Sequence, residues 1–175
     1  MTKHFLAEDL SRLQRLARES KRLRANQNFH PEATDPIQRF FNALEPYSYI
    51  RPHRHVDPPK WELLLLVRGA GAVLLFDERG KVDRILELDS ASGNLAVEIP
   101  PEIWHTLVAR QSGTVFFELK PGPYAPFSDK DFAPWSAPEG TERADRLGLW
   151  FRQASPGEQP PQMPDEPAQT AFPSS

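Results

Sequence analysis

Leu6, Leu10, Leu13, Leu16, Ala17 and Leu23 recur at steps of three and four residues, the spacing of one apolar helical stripe, which predicts a helix over residues 7–23. Glu8 and Asp9 near its start and Lys21, Arg22 and Arg24 near its end suit the helix macrodipole. Its basic face, with Arg12, Arg15 and Arg18, reads as a solvated surface. From residue 26 the period shortens to two. Asn26, Asn28 and His30 share a parity, which suits either an edge strand with its polar side to water, the reading preferred here, or a pocket wall. Short strands follow at 35–44, 61–67, 72–76, 82–88, 95–99, 104–109 and 114–120, punctuated by Glu45-Pro46, Gly69, Gly71 and Asp77-Glu78-Arg79-Gly80. Closely spaced strands without an intervening helix predict a sandwich or jelly-roll barrel.

The run 61–67 is apolar at both parities, so both of its faces need cover. Glu62, Leu64 and Leu66 are expected to face the interior. Leu63, Leu65 and Val67 would then be covered by the N-terminal helix or by a second subunit, which makes a homodimer the expected assembly. After Pro121 periodicity fades: Trp135 reads as an anchor against the barrel, and 141–151 as one or two helical turns. The division expected is a helix at 1–24, a barrel at 25–140, an extension at 141–154 and a Pro-rich disordered tail at 155–175.

Composition narrows the function. With 175 residues the chain supports one core, and 19 prolines beside 39% hydrophobic residues agree with an unpacked tail. A net charge of −3 argues against nucleic acid or an anionic membrane as partner. The absence of cysteine excludes disulfides, thiolate zinc sites and cysteine nucleophiles. The first residues turn acidic before a signal-peptide core forms, and no apolar run reaches spanning length, so a soluble cytoplasmic protein is expected.

The chemistry concentrates at His53 and His55, two residues apart and therefore on one face if the backbone is extended. Pro58 and Pro59 interrupt the strand, and a hairpin is expected to bring Glu62 back beside the two rings. His105, behind Pro100-Pro101, supplies a fourth donor, so that three nitrogens and one oxygen converge inside a barrel. That set suits one divalent first-row ion (iron, manganese, nickel, copper, cobalt or zinc), whereas magnesium and calcium prefer oxygen. His30 reads as a packed or solvent-facing histidine, and Trp104 as core.

His53-x-His55, Glu62, six residues and then Gly69 resembles the first cupin motif, and Pro100-x4-His105 the second. Here six residues separate His55 from Glu62 where cupins have three or four, Glu102 stands for the usual glycine and Ala109 for a common asparagine. More narrowly, Gln38-Arg39, Pro52-His53-Arg54-His55, Lys60-Trp61-Glu62, Val97-Glu98-Ile99-Pro100, Trp104-His105-Thr106 and the run from Phe117 to Tyr124 resemble the WbuC-type cupin-fold metalloproteins over residues 26–139. The resemblance implies an all-β cupin jelly-roll barrel and a connection to surface-polysaccharide biosynthesis.

Candidates for reading an anionic or sugar-like small molecule are Arg39, Arg51, Lys60, Lys120 and Tyr124, with Glu98 and Glu118 as proton-transfer groups. Arg51 shares the parity of His53 and His55 and is expected to point into the same cavity. Two classes of function follow: a metal-dependent isomerase, epimerase or dioxygenase acting on a small polar metabolite, and a non-catalytic metal- or ligand-binding sensor or accessory cupin. Metal-independent sugar epimerases of the cupin kind lack the ligand set that this chain carries.

Overall fold

Strand side chains alternate, so only one parity of each strand can meet an opposing sheet, and that parity builds the core here. The structure, a computed structural model, describes residues 2–124 and 131–162. In chain order these form α1 (Ala7–Glu19), β1 (Arg24–Asn28), β2 (Ile37–Leu44), β3 (His53–Arg54), β4 (Glu62–Arg68), β5 (Ala70–Phe76), β6 (Val82–Asp89), β7 (Ala96–Ile99), β8 (Trp104–Ala109), β9 (Thr114–Pro121), β10 (Asp131–Phe132) and α2 (Glu142–Gln153). One five-stranded sheet runs β1-β2-β9-β4-β7 and the other β10-β3-β8-β5-β6, with antiparallel pairing throughout. This is the expected all-β jelly-roll architecture, two facing antiparallel sheets with an N-terminal helix.

Between the sheets, Leu44, Leu64, Leu66, Val73, Leu107 and Phe116 form an apolar core. The β2–β9–β4 register sets Leu44, Phe116 and Leu66 toward one end of these strands, and Gln38, Lys120 and Glu62 toward the other. One end of the barrel is therefore packed and the other polar. As expected, Glu62, Leu64 and Leu66 of β4 are buried. Helix α1 lies over β1, β2 and β9, where Leu13 and Ala17 pack on Ala43 and Val115. It leaves Leu65 and Val67 of β4 at 38% and 37% exposure, so the helix does not supply their cover.

Three local expectations change. Helix α1 stops at Glu19 rather than at residue 23. Ser20 is extended and its Oγ accepts from the Arg22 backbone N–H, while Leu23 takes a left-handed φ of 54°, so local side-chain bonding and a reversal displace the last helical turn. The hairpin expected to join His55 to Glu62 is absent, because β3 pairs with β8 in one sheet and β4 with β9 and β7 in the other. The proline-bearing segment 55–61 crosses between sheets instead. Residues 142–153 form a full helix, capped where the Thr141 hydroxyl accepts from Ala144 N–H, and it buries Ala144, Leu147 and Phe151.

That helix and the segment leading to it cover the outer face of the second sheet, joining Leu74, Phe76, Trp104 and Val108 in one cluster, with Trp135 packed against it. Of the Pro-rich tail, residues 155–162 are described. Val82 N–H donates to Glu158 O, and Gly157 N–H to Val82 O, which ties this part of the tail to β6. The remainder, 163–175, lies outside the described residues, as do 125–130. Among the described residues, no helix is long and apolar enough to cross a membrane.

Candidate metal centre

His53 and His105 sit directly opposite each other in the β3–β8 pair, with ring centroids 4.5 Å apart. His55, two residues past His53, places its ring 5.3 Å from that of His53 and 6.0 Å from that of His105. Glu62 opens β4 in the facing sheet. Its Oε2 lies 3.0 Å from His105 Nε2 and 3.6 Å from His55 Nε2. One donor atom from each of the four residues falls within 4.8 Å of the others, and all four side chains are buried. Two sheets thus contribute to one cluster.

The hydrogen bonds around the rings define its chemistry. Nδ1 of His53 lies 3.0 Å from Arg51 O, and Nδ1 of His105 lies 2.8 Å from Ile103 O. A carbonyl only accepts, so both Nδ1 atoms carry hydrogen, and in the neutral ring each Nε2 presents a lone pair. Nε2 of His105 and the Glu62 carboxylate are then both acceptors, and at 3.0 Å they repel unless a cation or proton lies between them. The 3.0 and 3.6 Å spacings to Glu62 are below the roughly 4.2 Å that separates opposite ligands each about 2.1 Å from one ion. The donor set fits a first-row divalent metal.

Burial alone would push the Glu62 carboxyl up. The Lys120 charge leads the interactions that outweigh it and hold the group well below the usual carboxylate range. Glu62 is therefore an anion ready to bind a cation. Lys120 Nζ stands 3.6 Å from Glu62 Oε1 and donates to Glu118 Oε1 at 3.1 Å.

Above the cluster opens a cavity of about 460 Å³, to which His53, Glu62 and His105 contribute. Of the residues singled out from sequence, Lys120, Glu118 and Tyr124 line it with them. Arg51 does not: its guanidinium bonds to the Ser136 hydroxyl and carbonyl and sits 4.8 Å from the Phe132 ring. Residue 51 lies before β3, where the backbone is not a strand, so the parity argument fails. Arg39 turns outward to Ile37 O, and Lys60 is buried against Pro123 O. Glu98 is exposed opposite Leu63, on the outer face of β7, because β4 and β7 register Leu63 and not Glu62 against it. Trp104 packs as expected, with Nε1 donating to Glu78.

Both readings of the 26/28/30 parity hold in part: β1 is an edge strand with Asn26 and Asn28 exposed, and these two, with buried His30, also line the cavity. His30 stays apart from the donor cluster and accepts from Arg39 N–H at 3.0 Å. Gln38 and Asn42 of β2 complete this wall. Their signal was present in the sequence as polar residues at the parity of Phe40.

Residues 5–88 match a family described as Domain of unknown function (DUF6016). No curated protein matches the chain. Among solved structures, the chain is similar to oxalate decarboxylase from Bacillus subtilis, at 16% identity and a TM-score of 0.45, over 57% of this chain and 24% of that one. It is also similar to a cupin 2 domain-containing protein from Halorhodospira halophila, at 23% identity and a TM-score of 0.43, over 61% of this chain and 64% of that one. For the capsular polysaccharide assembling protein CapF from Staphylococcus aureus the values are 23% and 0.49, over 61% of this chain and 28% of that one. The chain spans less than two thirds of the length of each.

Proposed function

We propose that this chain is a metal-dependent cupin enzyme that moves a proton on a small, sugar-like metabolite, with one divalent transition ion held by His53, His55, Glu62 and His105. The observation that carries the reading is a buried four-donor cluster at the base of a cavity whose wall also bears Glu118 and Lys120. The resemblance to WbuC-type cupins supports a sugar-like ligand. A bound ion would act as a Lewis acid on a ligand carbonyl or hydroxyl oxygen.

The chain's own residues supply the rest. Lys120 Nζ, 3.6 Å from Glu62 Oε1 and 3.1 Å from Glu118 Oε1, would hold the two carboxyl groups in position. Glu118, 6% exposed and lining the cavity, would take a proton from carbon beside the polarised oxygen and return it, as isomerisation or epimerisation requires.

Elemental analysis of protein purified without chelator tests the first half: stoichiometric metal is expected, and its persistence in the double variant His53→Ala/His55→Ala would overturn the ligand set. Incubation with nucleotide sugars in D2O tests the second. Deuterium appearing on ligand carbon supports proton transfer, oxygen uptake instead would make the protein an oxygenase, and neither, with ligand bound, would make it a binding protein.

A further inference from the structure

We infer that His30 and Gln38 form the hydroxyl-reading pair of the cavity, with His30 Nε2–H donating to, and Gln38 Oε1 accepting from, hydroxyls on the sugar ring of a nucleotide sugar. The inference rests on the proposed function in taking a sugar-like ligand to occupy this cavity. Both side chains line it and both are buried, at 7% and 3% exposure. His30 Nδ1 lies 3.0 Å from Arg39 N and 2.9 Å from Arg39 O. The carbonyl already accepts from Phe29 N–H, and a hydrogen on Nδ1 would face the amide hydrogen, so Nδ1 accepts and the ring hydrogen is on Nε2. Gln38 Nε2 lies 3.0 Å from both Ala33 O and Asp35 O. Carbonyls only accept, so the amide nitrogen faces them and Oε1 is the acceptor left over. Neither His30 Nε2 nor Gln38 Oε1 has a hydrogen-bond partner among the described residues. Neither belongs to the fully buried unpartnered atoms, so each keeps surface open to the cavity that its residue lines.

The two atoms belong to one place in the fold. Arg39 N is part of the peptide that joins it to Gln38, so the ring and the amide are anchored at the same point of β2. Gln38 stands opposite Lys120 across β2 and β9, and Lys120 Nζ is 3.6 Å from Glu62 Oε1. The pair therefore sits at the end of the barrel that carries the four donors. Its chemistry selects the ligand group: a phosphoryl oxygen only accepts and is repelled by Oε1, an ammonium only donates and is repelled by Nε2–H, and a hydroxyl satisfies both. A polar group left unmatched in a buried wall is costly, so a ring lacking the matching hydroxyl is rejected. His30 and Gln38 thus read the glycosyl part of the ligand and not its diphosphate.

Calorimetric titration of the full chain as purified, with UDP-glucose, UDP-galactose, GDP-mannose and their derivatives deoxygenated at single positions of the hexose, tests the inference. At least one of the three should bind, and one of its deoxy derivatives should bind about tenfold more weakly. His30→Asn keeps an acceptor for Arg39 N–H while removing the Nε2 donor. It should bind the complete nucleotide sugar about tenfold more weakly and show no further loss with that deoxy derivative. Gln38→Met, which removes the acceptor, should weaken binding by a similar factor. A ring that only anchors the Arg39 amide would leave His30→Asn at full affinity. The inference is overturned if none of the three nucleotide sugars binds, if either variant binds as tightly as the unsubstituted chain, or if removing each hydroxyl in turn costs nothing on the unsubstituted chain. That last comparison needs no variant and so holds even if both variants fail to fold. Hydroxyl-dependent binding by a chain without metal supports this inference while sinking the metal reading. A metal-loaded chain that exchanges deuterium into the sugar but ignores both variants and every deoxygenation does the reverse.

Discussion

Oε2 of Glu62 lies 3.0 Å from Nε2 of His105, although the two residues belong to opposite sheets and stand 43 positions apart in the chain. Two acceptors at that distance define the affinity of the centre for a cation. Added Zn2+ or Mn2+ at a hundred times its Kd should stabilise the chelator-treated chain by about 2.7 kcal/mol, which is about 5–10 °C in melting temperature. His105→Ala should remove most of that shift, as differential scanning calorimetry would record.

Arg22 and Arg24 both bond to Glu139, which ties the start of β1 to the segment before α2. Burial alone would raise the Glu139 carboxyl, but the hydrogen bonds and charges of the two guanidiniums lower it. A lowered folded-state value means that the stabilisation is complete above the unfolded carboxyl value of about 4.3 and is lost as pH falls through the folded value. Because the Glu139 side chain is 35% exposed, the screened contribution is below about 1 kcal/mol. Urea midpoints of the parent and Glu139→Gln should differ at pH 6 and converge towards pH 3.

Burial pushes the Tyr49 phenol up to about 12, against a partly offsetting Arg51 charge, while its hydroxyl donates to Ala137 O at 2.9 Å. The raised value makes this stabilisation complete below the unfolded phenol value of about 10, with loss as pH climbs towards 12. The ultraviolet difference between the parent and Tyr49→Phe should show a phenol titrating near 12. Tyr49→Phe should cost about 1 kcal/mol at neutral pH by urea denaturation.

Glu102 stands at the cupin-motif position usually held by glycine and has φ 67°, with its N–H donating to His55 O. A left-handed non-glycine residue costs about 1–2 kcal/mol, and glycine gives part of that back as chain entropy. Glu102→Gly should therefore stabilise by up to about 1 kcal/mol, a gain of about 2–4 °C. Glu102→Val should melt lower than the parent, since a β-branched side chain tolerates this conformation poorly.

Short apolar runs bounded by turn signals made most of the barrel legible in the sequence. Residues 104–109 coincide with β8, and the Glu62, Leu64, Leu66 parity of β4 follows from its apolar run. The donor cluster was legible because two short motifs each keep their histidines on an extended chain. What failed depended on partners distant in sequence. The sheet that each strand joins decides that His55 and Glu62 face each other across the barrel rather than along a hairpin. Register on β4 decides that Glu98 points outward. The start of β3 decides that Arg51 turns to Ser136. Asn42 drew no notice in the sequence because its neighbours Glu118 and the cavity come beside it only in the folded barrel.

The crossing of residues 55–61 has a mechanical side. With His53 and His105 on one wall and Glu62 on the facing wall, a captured ion would act as a rivet through the barrel. Spreading the walls would pull the rivet, so the rate at which the ion exchanges would time the breathing of the whole roll.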